Sequence, residues 1–171
     1  ILRPGPGVGG HCIPIHPLFL NHENDIPALI RTARNVNDGM VGYVTQLLSA
    51  ALGDLDGAIV TLLGVAYKGG VGDTRESPAL RLAAALEDAD VADVRCTDPF
   101  VDADDVPYEL LSLEESLDGA DAAVLVTDHA EYGALAPAMF ERHMRGTAVV
   151  DTRAMLDPDR WEDAGLELYR I

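Results

Sequence analysis

Three apolar runs constrain this chain more than any other feature: Ala58–Val65, Ala122–Thr127 and Ala148–Asp151. Each is continuous and does not alternate with polar residues, as in strands covered by helices on both faces. Val94–Thr97 and Leu166–Tyr169 read as two further short strands. Helical stretches over Ala79–Asp88, Leu113–Leu117 and Pro137–Met144 fall between them, and Ser77-Pro78 supplies an N-cap and first-turn pair for the first. Strands alternating with helices predict an α/β fold with a doubly wound parallel sheet. Ligands of such sheets bind beyond the carboxyl ends of the strands. Chemistry is therefore expected in Ala66–Arg75, Thr127–His129 and Asp151–Arg153.

Ahead of the sheet the pattern changes. Ile30, Ala33, Val36, Met40, Val44, Leu47, Leu48 and Ala51 recur at helical spacing and predict one helix from Ile26 to Leu52, with Pro27 in its first turn and Gly53-Asp54 at its end. A helix this long exceeds what a small domain needs, so it reads as a linker or a dimer-forming helix. Residues 1–24 are rich in Gly, Pro and His and read as a loop. The opening Ile1-Leu-Arg-Pro4 carries no Met, which suggests a piece of a longer protein. No apolar run approaches the roughly 20 residues that span a bilayer, so no membrane partner is expected.

Charge narrows the partners. Twelve Lys+Arg against 29 Asp+Glu leave a net of −17, which argues against a nucleic-acid partner. Lys68 is the single lysine. So acidic a surface suits a high-salt cytoplasm, where screening relieves self-repulsion. The melting temperature is expected to rise between dilute buffer and molar salt, and an unchanged value would remove the halophilic reading. Two distant cysteines, Cys12 and Cys96, make no disulfide framework and fit a reducing cytosol.

Pro4-Gly-Pro-Gly-Val-Gly-Gly-His-Cys-Ile-Pro-Ile-His-Pro17 contains G-x-G-x-x-G at Gly5, Gly7 and Gly10. The dinucleotide fingerprint needs a strand before it and a helix after it. Here Pro14 and Pro17 prevent the helix. The glycines do allow a backbone to approach a ligand closely, and Cys12 at the loop's end is a candidate nucleophile. A flexible segment with an incidental thiol is the plainer alternative. His11, Cys12, His16 and His22 also lie close together, but their spacing fits metal sites poorly, and no metal is expected.

Gly64-Val-Ala-Tyr-Lys-Gly-Gly-Val-Gly-Asp-Thr-Arg-Glu-Ser-Pro78 runs from a strand into a Gly-rich loop bearing Lys68 and Arg75. Backbone donors and two cations suit phosphate binding. Alternatively the charges are solvated or pair with Asp73 and Glu76. Asp151-Thr-Arg153 brings a third cation to the same edge, or is a surface Asp–Arg pair. His129 is expected to serve a helix start, and Cys96 to be a buried small hydrophobe.

Together these segments resemble the UDP-glucose/GDP-mannose dehydrogenase family. GPGVGGHCIPIHP, ARNVND, GVAYKGGVGDTRESPAL and VVDTRAML match in family order, with CTDPFV and LVTDHAEY between them. The resemblance implies a catalytic Gly/Cys loop at 1–24, a central dimerisation helix at 25–53 and a Rossmann-like UDP-sugar-binding domain at 54–171, with the NAD-binding domain absent. It implies Cys12 as the catalytic cysteine, and Arg3 to Gly9 (Gly5 and Gly7 included) as the loop closing on the sugar nucleotide. Tyr67, Lys68 and Arg153 fall at substrate positions, and Arg75 with Cys12 to Ile15, Ile13 among them, on the NAD side. The reaction implied is two NAD-dependent oxidations of a sugar C6 alcohol to a carboxylate, through a thiohemiacetal and a thioester on the cysteine. It belongs to cytoplasmic polysaccharide biosynthesis. His16 stands where the family usually has an aspartate, and histidine can also relay protons. The other catalytic residues of the family would lie upstream, so the chain alone is not expected to turn over. The His11-Cys12-Ile-Pro form points to a UDP-N-acetylhexosamine, with UDP-glucose the alternative. A non-catalytic nucleotide-binding or dimerisation module is the rival reading.

Overall fold

Five parallel strands build one sheet in the order β2-β1-β3-β4-β5, and every strand pair is parallel. The strands are β1 (Ile59–Leu63), β2 (Asp93–Thr97), β3 (Ala122–Leu125), β4 (Ala148–Asp151) and β5 (Glu167–Arg170). This is a computed structural model, and it describes residues 4–17, 19 and 28–171. The strand order reverses between β1 and β3, which makes their carboxyl ends the switch point where such sheets bind ligands.

The predicted long helix is two: α1 (Ala28–Asp38) and α2 (Met40–Leu52). Gly39 interrupts them for one residue, yet its N–H still donates to the Asn35 carbonyl at 3.0 Å and its carbonyl accepts from Tyr43 at 3.1 Å. Glycine's low helix propensity locates the interruption. The predicted start at Ile26-Pro27 lies outside the described residues.

The sheet is covered on both faces. One side packs Val44 and Leu48 of α2, and Leu82 and Leu86 of α3 (Pro78–Glu87), against Val60, Leu62, Val124 and Val150. The other packs Leu63, Leu125 and Val149 against Leu117, Phe140 and Trp161. These last three come from α4 (Leu113–Leu117), α5 (Pro137–His143) and α6 (Pro158–Glu162). Phe140 and Trp161 meet edge to face at 4.7 Å. Burying each large apolar side chain contributes about 1.5–3 kcal/mol, which is why uninterrupted apolar runs settle between two helix layers.

Ser77 accepts the Ala79 N–H at 3.2 Å and Pro78 opens α3, as the sequence implied. Ser112 and Glu115 form a reciprocal capping box on α4. Helix α6 was not expected; Asp157-Pro158 marks its start, and the buried Trp161 anchors it.

Candidate functional site

The site is built on the segment after β1. Asp98, just past β2, accepts the Val65 N–H at 2.7 Å and the Ala66 N–H at 3.0 Å with one carboxylate oxygen. Asp128, just past β3, accepts the Gly69 N–H at 2.9 Å. A Cβ on Gly69 would collide with the Asp128 carbonyl oxygen, so only glycine fits there. His129 Nδ1 accepts the Gly70 N–H at 3.1 Å, and its Nε2 lies 3.0 Å from Asp98 Oδ2. Burial pushes the Asp98 carboxyl up, but donors from His129, Ala66, Phe100 and Val65 outweigh it and hold it below its ordinary value. From this tethered segment Tyr67 and Lys68 project, with Lys68 Nζ 5.6 Å from the Tyr67 ring centroid.

Across that segment lies the Gly/Cys loop. Gly10 donates its N–H to the Arg75 carbonyl at 2.9 Å, and Val8 donates to Asn37 Oδ1 of α1 at 3.2 Å. Gly9 and Gly10 run against Tyr67, Gly7 passes beside Arg81 and Pro78, and Gly5 passes over the Arg153 guanidinium. Between the loop, α1 and Arg153 lies a cleft of about 460 Å³. Arg153 Nε donates to the Val126 carbonyl at 2.8 Å, which orients the guanidinium toward the loop. Burial pulls this guanidinium down from its ordinary value, against the attraction of Asp128.

Cys12 is exposed at the end of the loop, its Sγ 3.6 Å from His11 Nδ1. His16 and Pro17 are helical, which corrects the expectation that the prolines prevent a helix. Pro17 falls in a first turn, where its missing N–H is not needed. His16 donates its backbone N–H to the Cys12 carbonyl at 2.9 Å, and its exposed ring sits 6.3 Å from that of Phe19. Ile13 is 65% exposed beside Cys12. Arg75 folds back on Asp73, Nη2 to Oδ2 at 2.5 Å and Nε to Oδ1 at 2.9 Å. The Arg75 side chain and backbone N–H hold the Asp73 carboxyl down at about 2. The pairing with Asp73 entertained from sequence is thus present, and the Arg75 guanidinium remains 63% exposed.

The fold therefore brings Gly5, Gly7, Gly9, Tyr67, Arg75 and Arg153 together with the loop that carries Cys12. Arg3 and His22 lie outside the described residues. Among the described residues no group of three His, Cys, Asp or Glu side chains is arranged to hold a metal. Cys96 is fully buried, as expected, and burial pushes its thiol up to about 12. His129 stands at a helix start, as expected: it is the N-cap of the short 3₁₀ helix Ala130–Ala134, and its carbonyl accepts the Tyr132 N–H at 3.1 Å. Its side chain, however, makes no cap hydrogen bond and ties β2, β3 and the post-β1 segment together. Asp98, Asp128, Asn37 and the His11–Cys12 contact were not singled out. Asp98 follows β2 directly and Asp128 stands three residues past β3, within the Thr127–His129 segment where chemistry was expected; that position was the available signal.

Comparison with known proteins agrees with this architecture. Residues 61–158 match the UDP-glucose/GDP-mannose dehydrogenase family, UDP binding domain. The UDP-N-acetyl-D-mannosamine dehydrogenase of Methanocaldococcus jannaschii is 38% identical over 172 residues, covering 99% of this chain. The chain spans 39% of that relative's length. The structure of UDP-D-ManNAc dehydrogenase from Pyrococcus horikoshii superposes with a TM-score of 0.88 at 36% identity, over 100% of this chain and 40% of that one. The NDP-N-acetyl-D-galactosaminuronic acid dehydrogenase from Methanosarcina mazei gives 0.89 at 28% identity, over 100% and 39%. With its parallel sheet, its switch-point segment and its matched residues 61–158, the chain belongs to the UDP-glucose/GDP-mannose dehydrogenase family.

Proposed function

We propose that this chain is the nucleotide-sugar-binding and cysteine-bearing portion of an NAD-dependent UDP-sugar 6-dehydrogenase. One observation carries the reading. In a chain of net charge −17, Lys68 and Arg153 have no carboxylate within ion-pair distance among the described residues. Both stand beyond the carboxyl ends of strands; Gly5 of the loop that carries the exposed Cys12 thiol passes over Arg153, and Gly9 and Gly10 run against Tyr67, the residue before Lys68. Arg31, Arg142 and Arg160 also lack an ion pair among the described residues, but Lys68 and Arg153 combine that with a place at the ligand end of the sheet, which suits a diphosphate. Relatives that bear the name UDP-N-acetyl-D-mannosamine dehydrogenase favour a UDP-N-acetylhexosamine as the substrate.

In this reading Lys68 and Arg153 hold the pyrophosphate, and the backbone of Gly5 to Gly9 closes over the sugar. Cys12 then faces the C6 carbon. NAD fits the exposed surface beside it: Ile13 offers an apolar face to a ring, and Arg75, 63% exposed, a cation to phosphate. When bound, NAD supplies the hydride acceptor for both oxidations. Cys12 supplies the covalent step, its thiolate adding to the C6 aldehyde to give a thiohemiacetal. After the second oxidation the C6 carbon is held as a thioester. Water attacks it, the carbon–sulfur bond breaks, and the carboxylate leaves as the thiolate is restored. His11, 3.6 Å from Sγ, is placed to take the thiol proton, and His16, one turn on, to serve the water.

The test is calorimetric titration of UDP into the chain at high salt, with Lys68→Ala and Arg153→Ala as controls. UDP binding that falls at least about tenfold in each variant supports the reading, since a charged hydrogen bond contributes roughly 1.5–3 kcal/mol. Equal affinity in all three proteins sinks it.

A further inference from the structure

The geometry points to His129 and Asp98 as positioning residues that fasten both ends of the segment carrying Tyr67 and Lys68. This rests on the nucleotide reading of that segment.

His129 is fully buried, and its ring leaves no choice of orientation. Phe100 stacks on it at 4.9 Å and Tyr132 meets it edge-on at 5.5 Å. Because Nδ1 accepts the Gly70 N–H, the ring proton sits on Nε2 and is donated to Asp98 Oδ2. That oxygen also takes the N–H groups of Val65 and Ala66. The segment is thus held at its start by the carboxylate and at its end by the imidazole, and the two holders are bonded to each other.

Neither residue is placed to touch a ligand. Their reach to the site runs through backbone: Tyr67 and Lys68 lie between Ala66 and Gly70, and the segment has no regular secondary structure to fix its shape. A rigid plate with an acceptor on one edge and a donor on the other is what the two contacts demand. Histidine spans both partners, whereas the acceptor and donor of an amide side chain sit on one carbon and can reach only one of the two. In the His129→Gln variant the terminal amide can reach Asp98 in place of Nε2 but offers Gly70 no acceptor. In the His129→Asn variant the amide oxygen can stand in for Nδ1 and keep the Gly70 bond.

The experiment compares wild type, His129→Gln and His129→Asn in the purified chain by three measurements: amide hydrogen exchange at Gly70, UDP affinity and melting temperature. In His129→Gln, exchange at Gly70 is expected to quicken and UDP affinity to fall, each about tenfold, the scale of one lost hydrogen bond. His129→Asn, which loses the Asp98 bond and the packed ring, should melt no higher than His129→Gln yet keep both Gly70 exchange and UDP affinity near wild type. The proposal is overturned if the two variants bind UDP alike, or if affinity tracks melting temperature instead of Gly70 exchange. An unprotected Gly70 amide in wild type also overturns it. A protected Gly70 amide in a wild type that binds no UDP would overturn the nucleotide reading instead, leaving the two-ended latch standing on exchange alone.

Discussion

Gly9 lies so close to Glu76 that a Cβ on it would stand 2.5 Å from the Glu76 carbonyl oxygen and 2.8 Å from Tyr67 Cβ. The contact is with backbone, which cannot swing aside. Gly9→Ala is therefore expected to lift the Gly/Cys loop from the post-β1 segment, at a cost of about 1–3 kcal/mol in loop docking. UDP affinity should drop by the corresponding factor while the sheet still melts cooperatively near the wild-type temperature. Limited proteolysis of residues 4–17 should quicken. Unchanged affinity and cleavage would mean that the loop does not dock there in solution.

The two cysteines should separate completely in reactivity. Cys12 is exposed beside His11, whereas Cys96 is buried with its thiol pushed up to about 12. Iodoacetamide at neutral pH should add one group to the folded chain, at Cys12, and two after denaturation. His11→Ala should slow the first addition several-fold if the imidazole takes the thiol proton. An equal rate in that variant would assign His11 no part in the thiol chemistry.

Acid should unfold the protein through a small set of carboxylates. In Asp98, burial is outweighed by the donors from His129 and backbone. In Asp121 the Arg145 guanidinium dominates, and in Asp128 burial is outweighed by the Gly69 N–H; all three are held below the ordinary value. Groups depressed in the folded state contribute stability that is fully present above their unfolded value of about 3.9. That stability is lost as pH falls through the folded values. Melting temperature should be flat from neutrality to about pH 5 and fall below it, and Asp98→Asn should lower the plateau and soften the fall. A wild-type curve that stays level to about pH 3 would contradict this assignment.

Helix α1 buries none of its residues, yet Leu29 and Val36 on it, and Tyr43 on α2, are 78%, 63% and 45% exposed and stand seven residues apart. A stripe at that spacing suits a helix–helix seam between two copies. Val36→Glu should convert a dimer to a monomer by light scattering without unfolding the sheet. A wild type that is already monomeric would exclude the seam.

The sheet was legible in the sequence because burial on both faces leaves a continuous apolar signature at 58–65, 122–127 and 148–151. β2 and β5 showed less: Asp93, Arg95, Glu167 and Arg170 dilute the pattern on strands at the sheet's rim. Helix α6 escaped because Trp161 is its one large apolar residue among charges, whereas α4, equally short, has a leucine at each end. At the site, cations and glycines could be picked out one at a time, since their chemistry is local. The His129–Asp98–Gly70 linkage could not: His129 stands 31 residues from Asp98 and 59 from Gly70, and only the parallel crossovers bring them together. In sequence His129 has only the look of an ordinary residue before a helix.

The strand order has a further consequence, for how copies of the chain can meet. A sheet with open edges invites a neighbour to add a strand. Here the outer side of β2 is already occupied by the bridge between Cys96 and Leu110, with the Leu111 N–H donating to the Cys96 carbonyl. Among the described residues the free edge belongs to β5, four residues long, with charged Glu167 and Arg170 at its two ends. Edge-to-edge growth into fibrils is thereby disfavoured.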